Sequence, residues 1–187
     1  MPPTLVGARV ALRTFRAEDA LDVFVYASKP EVTLHLEWGP HRTPWDSGSY
    51  VRRCMVDDPR LCTFAIEHLE LQRVIGAMDL RVVSRLRRIG EIGYTLSPSF
   101  WGQGYNVEAG RLLFDYAFGE RGLRRLVAVC DTDNHRSYRT MEKLGMTREC
   151  LLERARIRNG LPVDRYRYSI LRNDYLARRG PAAVPCP

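Results

Sequence analysis

Two glycines separated by one residue, Gly102 and Gly104, sit between an alternating apolar run and an amphipathic one. The stretch Ser97-Pro-Ser-Phe-Trp-Gly-Gln-Gly-Tyr-Asn-Val-Glu-Ala109 joins a strand expected over residues 89–96 to a helix expected over 106–120. Glycine in such a turn permits positive φ and a close approach of backbone to ligand. The amides of Gly102, Gln103, Gly104, Tyr105, Asn106 and Val107 would then surround a helix N-terminus. Unbonded N–H groups and the helix dipole attract phosphate there. The same strand, turn and helix also serve as plain connection chemistry, and local sequence leaves both readings open. Two other phosphate loops are unsupported. No Gly-x-x-x-x-Gly-Lys-Ser/Thr occurs, and Val107 stands where a dinucleotide fingerprint needs its third glycine.

Other residues could carry proton chemistry. Glu91 alternates with Gly93 and Thr95 on one strand face, opposite Ile92, Tyr94 and Leu96. On a cleft-lining face Glu91 could take a proton from an amine; on a solvated face it is a surface charge or the partner of an arginine. Asn134 and Ser137 are three residues apart and share one helical face. Asn134 is equally a good helix cap. Trp38 lies in a loop with His35, Glu37 and His41. It could wall an acceptor site or pack the helices on either side.

These residues need elements to hold them. Strands are expected over 9–15, 61–67, 74–83, 89–96 and 126–130, with a hairpin of 147–158 and 161–171 turning at Asn159-Gly160. The first helix opens after Arg16 and places Ala20, Leu21, Phe24, Val25 and Ser28 on one face. A second starts at Thr43-Pro44, a cap followed by proline at the first helical position. The helix after the glycine turn presents Ala109, Leu112, Leu113, Tyr116 and Ala117, and another runs from Asp133 or Asn134 to Gly145. The pattern is mixed α/β.

Composition narrows the function classes. The chain has 187 residues, 45% of them apolar and 27% charged, as expected of one globular domain. We place that domain at residues 1–177 and a disordered tail at 178–187. No apolar run approaches a membrane span, and the N-terminal residues lack a signal-peptide pattern, so a cytoplasmic protein with no membrane partner is expected. Five cysteines form no Cys-x-x-Cys pair, which argues against a metal site or a disulfide framework. The net charge of +7 is carried almost wholly by arginine, since Lys29 and Lys143 are the only lysines. These arginines are scattered, and no basic-aromatic module accompanies them, so direct nucleic-acid binding is not expected.

Several motifs in order resemble one family. Glu91-Ile-Gly-Tyr-Thr-Leu96, Trp101-Gly-Gln-Gly-Tyr105 and Glu108-Ala109 resemble the acyl-CoA-binding core of the GNAT N-acetyltransferases. Asp131-Thr-Asp-Asn-His-Arg-Ser137 and Glu142-Lys-Leu-Gly-Met146 resemble blocks of its RimJ/RimL branch, which acetylates ribosomal-protein N-termini. The resemblance implies a mostly antiparallel central sheet flanked by helices, acetyl-CoA as acyl donor, no metal, and direct transfer to an amine of a protein N-terminus or a small molecule. It assigns pantetheine and thioester to the strand edge at Tyr94, Thr95 and Leu96, where backbone N–H groups could serve an oxyanion. It places Asn134 on the pantetheine arm and Ser137 at the CoA sulfur as a possible acid. A homodimer is compatible with the family.

The chain departs from the family pattern at three places. Asn106 stands where the phosphate loop usually has Ala or Gly. Met141 stands where many members have a tyrosine. Arg156 stands where RimL-type enzymes can carry a glutamate. These departures motivate an alternative, a GNAT-fold module that binds or senses acyl-CoA without turnover.

Overall fold

The protein is described by a computed structural model covering residues 2–179. One eight-stranded sheet runs in the order β1-β2-β3-β4-β5-β6-β8-β7. Its strands are β1 (Leu5–Val6), β2 (Val10–Thr14), β3 (Leu61–His68), β4 (Arg73–Ser84), β5 (Ile89–Leu96), β6 (Arg125–Asp131), β7 (Thr147–Arg158) and β8 (Leu161–Leu171). All neighbouring pairs are antiparallel except β5 and β6, which are parallel. The helices are α1 (Ala20–Ala27), α2 (Pro30–Thr33), α3 (Pro44–Cys54), α4 (Tyr105–Gly119), α5 (His135–Lys143) and α6 (Arg172–Arg179). The mixed, mostly antiparallel sheet flanked by helices agrees with the sequence expectation.

The parallel pair sets up the site. β5 and β6 pair only from Ile89↔Arg125 to Glu91↔Val127, and then part. The crossover between them is α4, which buries Ala109, Leu113, Phe114, Ala117 and Phe118 against one sheet face with Val10, Leu12, Phe64, Met78, Leu80 and Ile92. A large apolar side chain so buried contributes about 1.5–3 kcal/mol of transfer free energy. The opposite face, over β2 to β4, is covered by α1, α2 and α3 through Val23, Tyr26, Ala27, Val32 and Val51.

Several local expectations hold for their stated reasons. Asn159 and Gly160 both take positive φ, 52° and 79°, as a two-residue hairpin with this dipeptide requires. Thr43 caps α3 in a reciprocal capping box with Asp46. Of the three cysteines in apolar sequence surroundings, expected as small core residues, Cys62 and Cys130 are buried and Cys54 is only partly so.

Others need correction. In α1 the buried set is Val23, Tyr26 and Ala27, while Leu21 and Val25 are exposed. Both sets satisfy helical spacing; Tyr26 reaches the core because α3 and β4 offer it a complete pocket. Residues 10–13 of β2 are buried on both sides instead of alternating, and Arg13 is accommodated by ion pairs to Asp19 and Glu67. The loop that carries His35, Glu37, Trp38 and His41, expected from Pro30 onward, opens with the short helix α2, which has Pro30 at its first position. The expected tail begins too early, because Arg178 lies within α6. The rest of that expectation, residues 180–187 and Cys186 among them, lies outside the described residues.

Candidate active site

The glycine turn is built as its residue types require. Gly102 and Gly104 have φ of +76° and +85°, and Gly104 is the N-cap of α4. A Cβ on Gly102 would meet nothing within 4 Å, so the space above the turn is open. Among the described residues no hydrogen bond of good geometry engages the amides of residues 102–106, whereas those of Val107 and Glu108 turn back to the Gly104 carbonyl, at 3.1 and 3.0 Å. The expected cradle thus extends over five amides, and Val107 contributes none. These groups fit an anionic diphosphate, whose oxygens would complete the orphan donors of the helix.

The side chains here do other work. Tyr105 is buried, and its hydroxyl lies 3.0 Å from His68 Nε2. Trp101 donates from Nε1 to the Leu96 carbonyl at 2.8 Å, tying the turn to the end of β5. Gln103 donates to the Ser99 carbonyl. Asn106, a departure from the family pattern, is the second residue of α4, and its Oδ1 is buried without a hydrogen-bond partner.

Arg9 is a candidate that sequence reasoning missed. Its guanidinium donates to the Gln103 carbonyl at 3.1 Å, pairs with Glu108 at 2.8 Å and lies 4.4 Å from the centroid of the Tyr105 ring. It remains half-exposed at the rim of the turn. Burial pushes the Glu108 carboxyl up, but hydrogen bonds from Arg9 and the Val10 amide outweigh it and leave the carboxyl below its ordinary value. Arg136, on α5, stacks over Trp101 at 4.5 Å. No motif joins Arg9 to Glu108 across 99 residues of sequence.

Beyond Glu91, the edge of β5 that faces β6 is unpaired, which includes Tyr94, Thr95 and Leu96. Tyr94 points to the α4–α5 side. Its hydroxyl donates to the Ser137 carbonyl at 2.8 Å and lies 3.0 Å from Ser137 Oγ. Burial raises the Tyr94 pKa, keeping it a neutral hydroxyl. Asn134 caps α5, its Oδ1 accepting from the Ser137 amide at 3.2 Å. Met141 is buried in the core.

Glu91 points to the other sheet face, in register with Arg81 of β4. Glu91 and Ser137 therefore stand on opposite sides of the opening between β5 and β6. Trp38 stacks on His41 and Tyr50, with centroids 5.0 and 6.1 Å apart, and packs on the α1–α3 core. Arg156 donates to the carbonyls of His35 and Leu36, at 3.0 and 3.3 Å, and so straps this loop to β7.

His35, Asp131 and Asp133 form a cluster with metal-like spacing. Arg158 already sits among them, 3.0 Å from Asp131, 2.6 Å from Asp133 and 2.9 Å from His35 Nδ1. Its guanidinium supplies the positive charge that the carboxylates require. A groove of about 530 Å³ lined by His135, Tyr138, Glu142, Arg148, Tyr166 and Tyr168 contains none of the residues expected at the site.

Comparison with known proteins decides the family. Residues 9–147 match the family model described as the acetyltransferase (GNAT) domain. The chain belongs to the GNAT acetyltransferase family. It is 32% identical over 178 residues to an uncharacterized N-acetyltransferase, p20, of Bacillus licheniformis, covering 92% of this chain and 98% of that protein. Among solved structures, a GNAT acetyltransferase from Bacillus anthracis superposes with a TM-score of 0.84 at 27% identity, over 91% and 99% of the two chains. The microcin C7 self-immunity acetyltransferase MccE, described in complex with acetyl-CoA and AMP, shares the fold at a TM-score of 0.78 and 23% identity, over 87% and 92%. The chain is an N-acetyltransferase by family. Among the described residues, no helix is long and apolar enough to cross a membrane.

Proposed function

We propose that the protein transfers an acetyl group from acetyl-CoA to a primary amine by direct attack within a ternary complex. The observation that carries this reading is the opening between β5 and β6, with an amide-rich helix N-terminus at one end and proton-handling groups on both faces. The amides of Gly102, Gln103, Gly104, Tyr105 and Asn106 would hold the diphosphate, with Arg9 at the rim. The free edge at Tyr94, Thr95 and Leu96 would run along the pantetheine arm and direct N–H groups at the developing oxyanion. Ser137, backed by the Tyr94 hydroxyl, would return a proton to the departing thiolate. Glu91, on the opposite face, would draw the proton from the amine. Asn134 would keep its amide nitrogen for the arm while its oxygen caps α5. Trp38 would wall the acceptor side.

The family and the relatives support this reading, as does the acetyl-CoA complex described for MccE. The acceptor is either a protein N-terminus, as in the RimJ/RimL branch, or a small amine. An α-amine titrates near ~7.7–8.0 and is partly neutral without help, whereas a lysine near ~10.4 requires a base. Arg156, engaged with the 35–36 carbonyls, leaves no glutamate at the position RimL-type enzymes use, which favours the small amine. We assign the chain through α6 to a single cytoplasmic domain able to act as a homodimer.

Calorimetric titration with acetyl-CoA, run beside thiol release over N-terminal peptides and small amines, tests the proposal. Binding with turnover on one class is the expected result. Binding without turnover on any amine would favour the sensing module, and no binding would remove the diphosphate cradle.

A further inference from the structure

On the α1–α3 side of the sheet, one carboxylate has no role in the reading above. Asp79 of β4 stands in register with Thr63 of β3 and with Gly93 of β5, forming a row across the sheet. Gly93 lies two residues beyond Glu91, the last residue of β5 paired with β6, and so borders the opening. A Cβ on Gly93 would meet only Asp79 within 4 Å, Oδ2 at 3.6 Å and Cβ at 3.9 Å. Asp79 is itself partly exposed, and Oδ2 is the oxygen turned toward Gly93. A side chain at position 93 would stand against that oxygen; glycine leaves it uncovered on this side.

The surroundings of Asp79 suit a cation. Its Oδ1 is shut off from water and has no hydrogen-bond partner, and the Tyr26 hydroxyl is orphaned in the same way. Tyr26 of α1 and Tyr50 and Cys54 of α3 interact electrostatically with it from the helix layer. Trp38 stacks on Tyr50 and extends the aromatic wall. Other charged groups at this cluster are Asp19 and Asp22, which act on Tyr26, and Arg53, which acts on Cys54; along the sheet lie exposed Arg81, two residues along β4, and Glu91 opposite it. A carboxylate with an open lone pair, walled by aromatic rings, recognises an N–H donor cation. An unpartnered buried polar atom in a native fold calls for a ligand or an explanation of this kind.

We propose that Asp79, reached across Gly93, receives the acceptor's primary ammonium group and is the base that deprotonates it. This inference rests on the N-acetyltransferase reading and names the acceptor subsite. The ammonium N–H bond breaks and its proton passes to the Asp79 carboxylate. The freed nitrogen lone pair forms a bond to the thioester carbonyl carbon of the acyl-CoA. The C–S bond then breaks, its electron pair leaves on sulfur, and the thiolate takes a proton from Ser137 or solvent. Burial raises the proton affinity of Asp79, only partly offset by its hydrogen bond with Thr63 and by Arg81, and brings it nearer to that of an amine. On this assignment Asp79 replaces Glu91, named above as the group that draws the amine proton, and Glu91, opposite an exposed arginine, is an auxiliary charge at the mouth.

The test compares wild type, Asp79→Asn, Gly93→Ala and Glu91→Gln in three measurements. These are calorimetry with acetyl-CoA, calorimetry with benzylamine and n-butylamine in the presence of CoA, and the pH profile of thiol release with the same amines. We expect Asp79→Asn to keep acetyl-CoA affinity within twofold, weaken amine binding at least tenfold, and abolish the acid limb of the pH profile. Gly93→Ala, whose added methyl is tolerated at 3.6 Å from Oδ2, should raise KM for the amine at least tenfold with acetyl-CoA affinity retained. The proposal is overturned if Asp79→Asn matches wild type in amine affinity and pH profile. It is also overturned if Gly93→Ala leaves KM unchanged, or if wild type binds acetyl-CoA but neither amine. Failure of wild type to bind acetyl-CoA is a separate result, and it would overturn the underlying reading itself.

Discussion

The two faces of β5 are built by different means. On the α4–α5 side nearly every proposed group comes from a short segment and is held by near neighbours. Asn134 caps the helix that carries Ser137, and the glycine turn orients its own amides. On the α1–α3 side the groups come from α1, α3, β4, β5 and the loop after α2, and the central carboxylate keeps one oxygen without a hydrogen-bond partner. A side that receives the same donor in every cycle can be assembled from backbone and local caps. A side that selects an acceptor is assembled from side chains distant in sequence, and those are free to differ between relatives. The comparison predicts that damage to the first side abolishes donor binding, whereas damage to the second alters acceptor use and pH dependence.

The largest effect should come from Gly104→Asp. It forces a non-glycine residue to φ +85° and sets a carboxylate at the amide cradle. Acetyl-CoA affinity measured by calorimetry should fall on the order of a hundredfold, corresponding to about 2–3 kcal/mol of charge-assisted hydrogen bonding. An unchanged affinity would remove the cradle.

Tyr94→Phe keeps the ring and deletes the hydroxyl beside Ser137. We expect kcat to fall about tenfold, as for loss of one group in a proton relay, with acetyl-CoA affinity preserved. A loss of affinity with kcat intact would assign Tyr94 to donor binding alone.

Glu91→Gln separates the two carboxylates on the acceptor side. If Glu91 is the base, turnover drops mainly at low pH; if Asp79 is, the effect stays within about threefold at all pH values. A flat ratio of variant to wild-type rates across pH removes Glu91 from the base role.

The smallest effect concerns stability. Because the Asp79 pKa is raised in the folded state, its contribution is fully present below the unfolded carboxylate value, near ~3.9. That contribution is lost as pH rises through the folded value. Without amine, Asp79→Asn should therefore melt a few degrees higher than wild type at pH 8, and the two should converge at pH 4. A gap that persisted at pH 4 would mean that the substitution acts through packing.

Much of this molecule was legible in its residue order. The glycine pair, the Asn-Gly hairpin, the Thr43 cap and the apolar face of α4 follow from φ preferences, capping chemistry and helical period. All of these act over a few residues. The facing of α1 was not legible, since Leu21 and Val25 fit helical spacing as well as Val23 and Tyr26 do. Only the pocket offered by α3 and β4 chooses between them. The burial of Arg13 was not legible either, because its partners Asp19 and Glu67 reach it only through the 3-10 turn and β3. The helix expected from residue 106 starts at Tyr105, because the positive φ of Gly104 makes that residue the cap.

The sequence by itself determined the family, the elements and the backbone chemistry of the donor side, because those depend on local conformation and on motifs in order. Tertiary structure decided which side chains meet. It brought Arg9 to the glycine turn, set Tyr94 against Ser137, filled the His35–Asp131–Asp133 cluster with Arg158 and placed Asp79 behind Gly93. Each of these meetings depends on strand register and helix packing, which couple residues tens of positions apart and leave no periodic trace in the chain.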